Sequence, residues 1–451
     1  MTSLQETIGE LRSSLAGPVI GPSDGEYDAA RRCFNALVDR RPAVIARCVG
    51  AADVATAFDF ARAHGLEVAV RGGGHNPAGH CVVDDGLVID LSVMRTVDVD
   101  ADQLVARASG GATWLDFDSA TQAHGLVTPG GVVGSTGVCG LALGGGIGHL
   151  TAQHGLTCDN LVGAEIVTPD GSVVQATAEE NPELLWGLRG GGGNFGVATR
   201  LEFRLHALNN VIGGLLTFRG EAVRDALRCY RAVVAESPRN LSCELVLTVD
   251  ESLTPTLLVA PCLTGAEGDS EQLDALRSAP GLVSDEVKAQ SFLAQQLVFD
   301  SPYGENRHYW KGHFVSELAD ELIDELLERI VAFARPQTHF LIESLHGAPK
   351  DADPGLGGIA YRGAAFNVSA MAVWSEPDDD ETHIAWARDT TAAMEPWSYI
   401  GGGYANYMQA DEPVERVRAA FGDEAFERLR ALKTRYDPGN VLHRNQNIPP
   451  E

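Results

Sequence analysis

Short apolar runs alternate with amphipathic stretches through the first half of the chain. The apolar runs at 43–46, 66–70 and 87–91 have the length of buried strands. Between the first two, the segment 53–64 places apolar residues at helical spacing, starts with an aspartate and stops before Gly65. Strands that alternate with helices in this way predict an α+β or α/β domain over about residues 40–206.

The second half has a different pattern, in which longer alternating runs predict strands and segregated helices. Helical spacing recurs at 320–333 and 381–393, and again over 415–436, where Asp437-Pro438-Gly439-Asn440 ends it. The strands are expected at 214–218, 244–249, 257–259, 340–345 and 366–373. Many strands with separate helices favour an antiparallel sheet that is covered by helices on one face.

Composition adds one feature to this picture, an excess of glycine. The chain of 451 residues has 50 glycines, more than the roughly 7% of an average protein. Three clusters hold the most telling of them: RGGGHN at 71–76, PGGVVGSTGVCGLALGGGIG at 129–148 and RGGGGNFG at 189–196. Glycine turns let backbone N–H groups approach phosphates. Several such loops in one domain indicate a long anionic cofactor.

A dinucleotide site of the Rossmann type is the obvious alternative. The third cluster matches G-x-G-x-x-G through Gly191, Gly193 and Gly196. That fingerprint has to follow a strand and open a helix, whereas this one follows a helical stretch and precedes the strand-like run 197–203. The P-loop pattern is absent from the sequence, and the glycine loops lack the G-x-S-x-G of α/β-hydrolases.

Charge and cysteine usage limit the partners and the compartment. Sixty-two acidic residues against 34 basic ones give a net charge of -28, which disfavours nucleic acids and anionic membranes. No apolar stretch reaches the ~18 residues of a membrane span, and the N-terminus lacks the features of a signal peptide. The eight cysteines form no CxxC pair. We therefore expect a cytoplasmic protein without a metal site, whose cysteines are small buried hydrophobes.

Several motifs together resemble a known family. The strand before RGGGHN, the VIDLSVM run at 88–94 and the segment 137–171 resemble the FAD-binding domain of the vanillyl-alcohol-oxidase (PCMH) type. The segment 180–206 is similar to the closing part of that domain. The YANYMQADE and RYDPGNVLHRNQNI stretches between 404 and 448 resemble the tail of berberine bridge enzyme-like FAD-linked oxidases, and in particular of their bacterial members similar to 6-hydroxy-D-nicotine oxidase.

The resemblance implies the architecture. It predicts an α+β protein with a PCMH-type FAD-binding domain at 1–208 and a substrate domain at 209–400, whose antiparallel sheet lies over the flavin. The segment 401–451 would then complete the FAD domain.

The resemblance also implies how FAD is held. His75 matches the histidine that the family bonds to the 8α carbon of the flavin, and a neutral imidazole is a suitable nucleophile for this reaction. We expect backbone amides and Arg71 to bind the phosphates. The full set of expected cofactor-binding residues is His75, Arg71, Gly72, Gly73, Gly74, Asn76, Gly79, Gly137, Val138, Cys139, Gly140, Gly144, Gly145, Gly146, Gly148, Asp159, Asn160, Asn445 and Asn447.

Some relatives carry a second flavin bond, from a cysteine. That position falls on Val133 here, whereas Cys139 directly precedes Gly140. A single covalent bond through His75 is therefore expected, with Cys139 as a packed thiol near the flavin.

The resemblance places the base among the tyrosines of the Y-x-N-Y motif, Tyr404 and Tyr407, and we favour Tyr407. A tyrosine with an ordinary pKa near ~10 needs a nearby cation or flavin charge to act as a base. Berberine bridge enzyme instead uses a strand glutamate, so Glu343 stays open. Substrate contacts are expected from Ile147, Tyr309, Lys311, Ser344 and His346.

The predicted function is oxidation of a C–OH or C–N bond in a small molecule, with hydride transfer to flavin N5 and O2 as the acceptor that gives H2O2. One alternative is a dehydrogenase of the same fold with another acceptor. A second alternative is a flavin-containing protein that binds or sequesters a drug. The substrate (sugar, amine or polyketide) and the oligomeric state do not follow from the sequence.

Overall fold

The computed structural model describes residues 4–265, 270–300 and 304–451. Residues 1–3 of the N-terminus, which is expected to lack a signal peptide, lie outside these ranges. Among the described helices none combines the length and the apolar character needed to traverse a bilayer.

The helices of the described residues are short to medium in length. They are α1 (Leu4–Ser14), α2 (Tyr27–Ala30), α3 (Ala51–His64), α4 (Trp114–Gln122), α5 (Val138–Leu143), α6 (Thr151–His154), α7 (Pro182–Leu188), α8 (Val223–Glu236), α9 (Glu271–Arg277), α10 (Phe292–Gln296), α11 (Asp320–Phe333), α12 (Ala348–Asp351), α13 (Asp380–Met394), α14 (Val414–Phe421) and α15 (Asp423–Tyr436).

The strands fall into two groups along the chain. The first group is β1 (Val19–Ile20), β2 (Val44–Arg47), β3 (Val68–Arg71), β4 (Leu87–Asp90), β5 (Val97–Asp100), β6 (Val105–Ser109), β7 (Leu126–Val127), β8 (Leu161–Val167), β9 (Val173–Ala176), β10 (Val197–Arg204) and β11 (His206–Ala207). The second group is β12 (Asn210–Gly213), β13 (Leu216–Arg219), β14 (Leu241–Val249), β15 (Pro255–Thr264), β16 (Leu282–Asp285), β17 (Lys288–Ser291), β18 (Arg307–Val315), β19 (His339–Ser344) and β20 (Phe366–Trp374).

The first group forms the N-terminal part of the molecule. A sheet in the order β1-β2-β4-β3 has its last three strands parallel, and α3 connects β2 to β3 as a crossover helix. Gly65 ends α3 in the left-handed conformation (φ 64°), which glycine adopts without steric cost. The RGGGHN loop follows directly from β3, so the sheet presents the first glycine loop at its edge.

A second sheet, in the order β5-β6-β10-β8-β9, is antiparallel. The third glycine cluster lies between α7 and β10. It therefore follows a helix and precedes a strand, which is the reverse of the order that a Rossmann fingerprint requires.

The second group forms one large sheet, in which nine strands of the described chain take part. Helices α8, α11 and α13 cover one face, where their apolar residues pack against strand residues such as Leu245, Ile342 and Ala370. The opposite face is turned toward the glycine loops. The predicted fold class, α+β with an antiparallel sheet that helices cover on one face, is confirmed.

The C-terminal segment returns to the N-terminal part. Val417, Phe426 and Leu429 share one buried cluster with Phe195 and Phe203. The region predicted as one helix over 415–436 is two helices, α14 and α15. Gly422 separates them with a φ of 79°, a conformation that an α-helix cannot contain.

Candidate functional site

Two adjoining cavities lie between the glycine loops and the large sheet. The first has a volume of about 200 Å³ and is bordered by all three glycine clusters and by the tail. The second, of about 440 Å³, extends from the RGGGHN loop to the uncovered face of the sheet. Both are lined by Gly72, Asn76 and Gly140, so a single extended molecule can occupy them together.

The first cavity suits a long anionic group. Gly72, Gly140, Gly144 and the run 190–193 line it with bare backbone. Gly73 and Gly137 approach so closely that a Cβ on Gly73 would lie 2.5 Å from the Gly137 nitrogen. Asn445 also lines the cavity, and its Oδ1 is buried with no hydrogen-bond partner among the described residues. Backbone donors, an orphaned amide oxygen and the absence of side chains fit a dinucleotide such as FAD.

His75 borders the second cavity. Its Nε2 is 2.8 Å from the Ser135 hydroxyl, its Nδ1 is 3.5 Å from the Thr136 hydroxyl, and Phe34 stacks on the ring at 4.3 Å. Burial lowers the pKa of His75 to about 4. The imidazole is therefore neutral at physiological pH.

Arg71 does not take the position expected of a phosphate ligand. Its guanidinium donates hydrogen bonds to the carbonyl oxygens of Ala30 and Arg32, the latter at 2.6 Å, and its charge lowers the pKa of Cys81. Neither cavity is lined by Arg71. The physical reason is that the strand end of β3 directs this side chain toward the segment after α2 rather than into the glycine loop.

Two residues of the second glycine cluster, Cys139 and Val133, line different cavities. Cys139 borders the first cavity, and burial raises its pKa to about 12, so it stays a protonated thiol. Val133 lines the second cavity. Val138 is fully buried in the apolar core and lines neither cavity.

The GGGIG run contributes to the site in two ways. Gly144 borders the first cavity and Ile147 the second. Gly145 and Gly146 have φ values of 116° and 89°, and a Cβ on either would meet protein, namely the Tyr361 hydroxyl at 2.3 Å or the Thr157 hydroxyl at 2.1 Å. The protein's own packing therefore requires glycine at both positions. From the sequence, glycine was expected there only because of the flavin ring.

Five further expected flavin ligands do not line either cavity. The Gly148 nitrogen donates to the Thr151 hydroxyl, and Gly79 closes a turn onto the Asn76 carbonyl. Asp159 forms an ion pair with Arg362 at 2.5 Å, and Asn160 donates to the carbonyls of residues 154 and 156. Asn447 has a buried Oδ1 without a partner in the described residues but does not line either cavity. These residues shape the loops that carry the ligands.

The face of β18 that lines the second cavity is the opposite of the face predicted to contact the substrate. The side chains of β18 that border the second cavity are His308 and Trp310. Tyr309 and Lys311 instead form bonds to the tail, where the Tyr309 hydroxyl donates to Asp411 at 2.6 Å and the Lys311 ammonium to Glu412 at 2.5 Å. The predicted substrate contacts of Tyr309 and Lys311 are therefore corrected.

The same correction applies to β19. Leu341 lines the cavity, whereas Ile342 belongs to the helix-covered core. Ser344 follows Ile342 on that face, and the His346 Nε2 lies 2.9 Å from the carbonyl oxygen of Leu241. Both faces of this strand are buried, so alternation alone could not show which one meets the substrate.

Glu343 shares the cavity face of β19 and meets the tail there. Its Oε1 accepts a hydrogen bond from the Tyr407 hydroxyl at 3.1 Å, and its Oε2 accepts one from the Asn367 amide at 2.6 Å. Complete burial raises the pKa of Glu343 to about 7, against the lowering effect of these two donors. A carboxyl group with such a pKa can exchange protons near neutral pH.

The two tyrosines are held as protonated phenols. Burial, with the Glu343 carboxylate as the next cause, raises the pKa of Tyr407 well above its ordinary value. Tyr404 is likewise raised, first by burial, and its hydroxyl accepts bonds from the Gly146 nitrogen at 3.0 Å and from the Asn406 amide at 2.9 Å. Among the described neighbours, the cation that a tyrosinate base needs is missing, and a carboxylate lies beside Tyr407 instead.

A second carboxyl group lies next to Glu343. Glu244 pairs directly with Glu343 across β14 and β19, and directly opposed residues have Cβ atoms about 4.5–5.5 Å apart. Both side chains are fully buried. Within the described residues neither oxygen of Glu244 has a hydrogen-bond partner. Burial and then the charge of Glu343 raise the pKa of Glu244 well above its usual range.

Sequence reasoning missed several residues of this site. Asn406 borders both cavities and donates to the Leu141 carbonyl. It stands within the Y-x-N-Y motif, which was a usable signal. Asn367 and Glu244 had no such signal in the sequence, because only the order of the strands brings them beside Glu343. The described residues contain no cluster of histidine, cysteine and acidic side chains that could hold a metal ion.

Comparisons with known proteins agree with this arrangement. The family described as "FAD binding domain" matches residues 42–177, and the one described as "Berberine and berberine like" matches residues 403–449. (R)-6-hydroxynicotine oxidase of Paenarthrobacter nicotinovorans is 31% identical over 97% of this chain and 98% of its own.

Solved structures show the same fold. The crystal structure of 6-hydroxy-D-nicotine oxidase from Arthrobacter nicotinovorans superposes with a TM-score of 0.87 at 30% identity, covering 97% of this chain and 99% of that one. A variant of berberine bridge enzyme superposes with a TM-score of 0.86 over the full length of both chains. Its 18% identity extends the likeness to the fold alone.

Proposed function

This chain belongs to the FAD-linked oxidoreductases related to (R)-6-hydroxynicotine oxidase, and from that premise we propose that it oxidises a C–OH or C–N bond of a small molecule with O2 as the electron acceptor. The observation that carries the proposal is the Glu343–Tyr407 pair. Tyr407 lines the second cavity, and its hydroxyl donates to Glu343, which lies behind it on the same face of β19 as the cavity-lining Leu341. When bound, FAD supplies the acceptor for the hydride equivalent. The products would be the oxidised substrate and hydrogen peroxide.

Glu343 is the proposed base. Oxidation of an alcohol or amine requires that a proton leave the O–H or N–H group while the adjacent C–H bond breaks. A carboxylate with a pKa of about 7 has an ionised fraction near one half at neutral pH and accepts this proton, directly or through the Tyr407 hydroxyl. Tyr407, protonated and 3.1 Å away, orients the carboxylate and the substrate hydroxyl. This assignment replaces a tyrosinate base.

The cavity walls support a substrate with an apolar body. Val246, Leu258, Leu341 and Met371 line the sheet side, and Ile147 lies on the opposite side. An apolar wall favours the binding of an apolar or aromatic ring, because binding removes both surfaces from water. It offers few hydrogen-bond partners to the hydroxyls of a sugar. Among the described sheet residues that line this cavity, the ones with titratable side chains are His308 and His339.

The covalent attachment of FAD through His75 is part of the proposal. The neutral imidazole, flanked by the hydroxyls of Ser135 and Thr136, supports a single bond to the 8α methyl carbon. Its formation breaks one C–H bond and one N–H bond, and the two hydrogens with their electrons reduce O2 to hydrogen peroxide. Cys139, held as a thiol, supports the absence of a second bond.

Acid precipitation of the holoenzyme tests the attachment. We expect a yellow pellet from the wild type and a flavin mass on the peptide that contains His75. His75→Ala should give a colourless pellet, while His308→Ala, a histidine bordering the same cavity, should keep the colour. A flavin mass on Cys139, or a colourless wild-type pellet, would contradict the single-bond proposal.

An anaerobic screen tests the reaction. Holoenzyme is mixed with sugars, with secondary amines and with aromatic alcohols, and loss of the flavin absorbance is followed; air is then admitted in a stopped-flow mixer. We expect bleaching by aromatic alcohols or amines and rapid recovery in air. Slow recovery would favour a dehydrogenase, and a flavin that no donor bleaches would favour a sequestering protein.

A further inference from the structure

Two cysteines far apart in sequence are in contact behind the RGGGHN loop. Cys33 follows α2 and Cys81 follows the loop, and the nearness of each thiol is the largest cause of the other's shifted pKa. Both are buried in a small apolar cluster that also contains Val82. The backbone holds them there, because the Phe34 nitrogen donates at 2.9 Å to the Gly74 carbonyl, which is also 3.9 Å from the Cys81 sulfur.

A cation lies at this pair. The guanidinium of Arg71 is anchored on the carbonyls of Ala30 and Arg32, and its positive charge acts on the Cys81 thiol. The neighbouring Cys33 thiol lowers the pKa of Cys81, burial opposes this lowering, and the Arg71 charge adds to it; the pKa of Cys33 is raised in turn. A lowered pKa beside an arginine is the environment of a reactive cysteine.

The other buried cysteines have no such environment. Burial raises the pKa values of Cys48, Cys243 and Cys262, each with neighbouring acidic groups as the next cause. All eight cysteines are free thiols. Cys48, Cys243 and Cys262 are therefore internal controls, since they are buried like Cys33 and Cys81 but have acidic neighbours instead of an arginine.

The pair also lies beside the two cavities, where hydrogen peroxide formed at the site would reach it. Cys81 lines both cavities, and the residue after Cys33, Phe34, stacks on His75 at 4.3 Å. Asn35 of the same segment exchanges two hydrogen bonds of 2.8 Å with the backbone of His308 on the sheet. The segment 33–36 thus connects the flavin loop to the substrate sheet.

We propose that Cys33 and Cys81 form a dithiol site that hydrogen peroxide oxidises to a disulfide. The Cys81 thiolate attacks one peroxide oxygen; the O–O bond breaks, and the departing hydroxide takes a proton to become water. Cys33 then attacks the sulfur of the resulting sulfenic acid; the S–S bond forms, and the S–O bond breaks to release a second water. The two thiols lose two electrons and two protons, which the peroxide accepts. That the enzyme itself supplies the peroxide rests on the proposed function, whereas the reaction of the dithiol does not.

Peroxide added to the holoenzyme without any organic substrate tests the proposal. After a short exposure and removal of peroxide by catalase, free thiols are alkylated, and the protein is digested without reductant for mass spectrometry. We expect a cross-linked pair of peptides containing Cys33 and Cys81, lighter by two hydrogens than the sum of the reduced peptides and separated again by dithiothreitol. Cys48, Cys243 and Cys262 should be recovered alkylated.

Two variants separate the roles of the sulfurs. Cys33→Ser leaves no resolving thiol, so Cys81 should accumulate as a sulfenic acid that dimedone labels; Cys81→Ser should leave Cys33 reduced. Recovery of both cysteines alkylated in the wild type at peroxide doses that oxidise other cysteines would overturn the proposal, as would oxidation of Cys33 in Cys81→Ser. Oxygen consumption is measured separately, so failure of the oxidase function is distinguishable from failure of the dithiol.

Discussion

Substitution of Tyr407 by phenylalanine distinguishes a glutamate base from a tyrosine base. Burial raises the pKa of Glu343 to about 7, and the Tyr407 hydroxyl, 3.1 Å from its Oε1, opposes this rise. The carboxylate is the active form of a base, so kcat/KM of the wild type should fall below pH 7 by about tenfold per pH unit. A hydrogen bond to a charged group contributes about 1.5–3 kcal/mol, and one pKa unit corresponds to about 1.4 kcal/mol. Loss of the hydroxyl should therefore move the acid limb upward by about 1–2 units.

The assay is the pH dependence of kcat/KM, from oxygen consumption or from anaerobic flavin reduction. Tyr407→Phe should keep most of its activity on the alkaline plateau, whereas Glu343→Gln should lose about 10²–10⁴-fold at every pH. Tyr361→Phe is the matched control, since this buried hydroxyl has no hydrogen-bond partner in the described residues, and its acid limb should coincide with the wild type. If Tyr407→Phe loses as much activity as Glu343→Gln at all pH values, Tyr407 is the base and the reasoning fails.

Four further substitutions, one of them a control, test the packing and the buried charges. Gly146→Ala, with φ of 89° and a Cβ 2.1 Å from a threonine hydroxyl, should lower the unfolding free energy by about 1–3 kcal/mol. Gly9→Ala, with no atom within 4 Å of the added Cβ, should change it by less than about 1 kcal/mol; urea unfolding measures both. Asp437→Asn breaks the buried 2.7 Å ion pair with Lys433 and should cost about 3–5 kcal/mol in the same assay, so a neutral result would contradict the pairing. Because burial raises the pKa of Glu244 in the folded state, the wild type should lose stability as the pH rises above the unfolded value of about 4.3. Glu244→Gln should flatten this loss between pH 5 and 8, and parallel pH curves would refute the buried ionisable group.

Much of the fold could be predicted because its patterns are local. The spacing in 53–64 and 320–333 predicted α3 and α11, since an amphipathic helix has to bury one stripe wherever it lies. The third glycine cluster could be separated from a Rossmann site because the order of helix and strand around it is a property of the chain. The tail over 415–436 was helical as predicted, but Gly422 splits it, and a single glycine does not show in advance whether it will adopt a positive φ.

The functional site was less predictable because contacts between distant segments decide it. Glycines 72–74 and His75 were expected at the cofactor cavity and border it, since they are contiguous in one loop. Arg71, adjacent in sequence, points to the segment after α2 instead. A strand end presents neighbouring residues to opposite sides, so proximity in sequence to a ligand loop does not imply contact with the ligand.

The amino-acid sequence by itself determined the class of fold, the cofactor family and the alternation of side chains along each strand. Alternation with period two specifies which residues share a face, so Tyr309 and Lys311 were correctly grouped apart from Trp310. Only the tertiary structure decided which face lines the second cavity, because both faces of β18 and β19 are buried, one by helices and the other toward the glycine loops. It likewise decided that Glu244 lies beside Glu343 and Cys33 beside Cys81. The members of each pair are far apart in sequence, so only the order of the strands and the path of the loops bring them together, and no local sequence pattern predicts this.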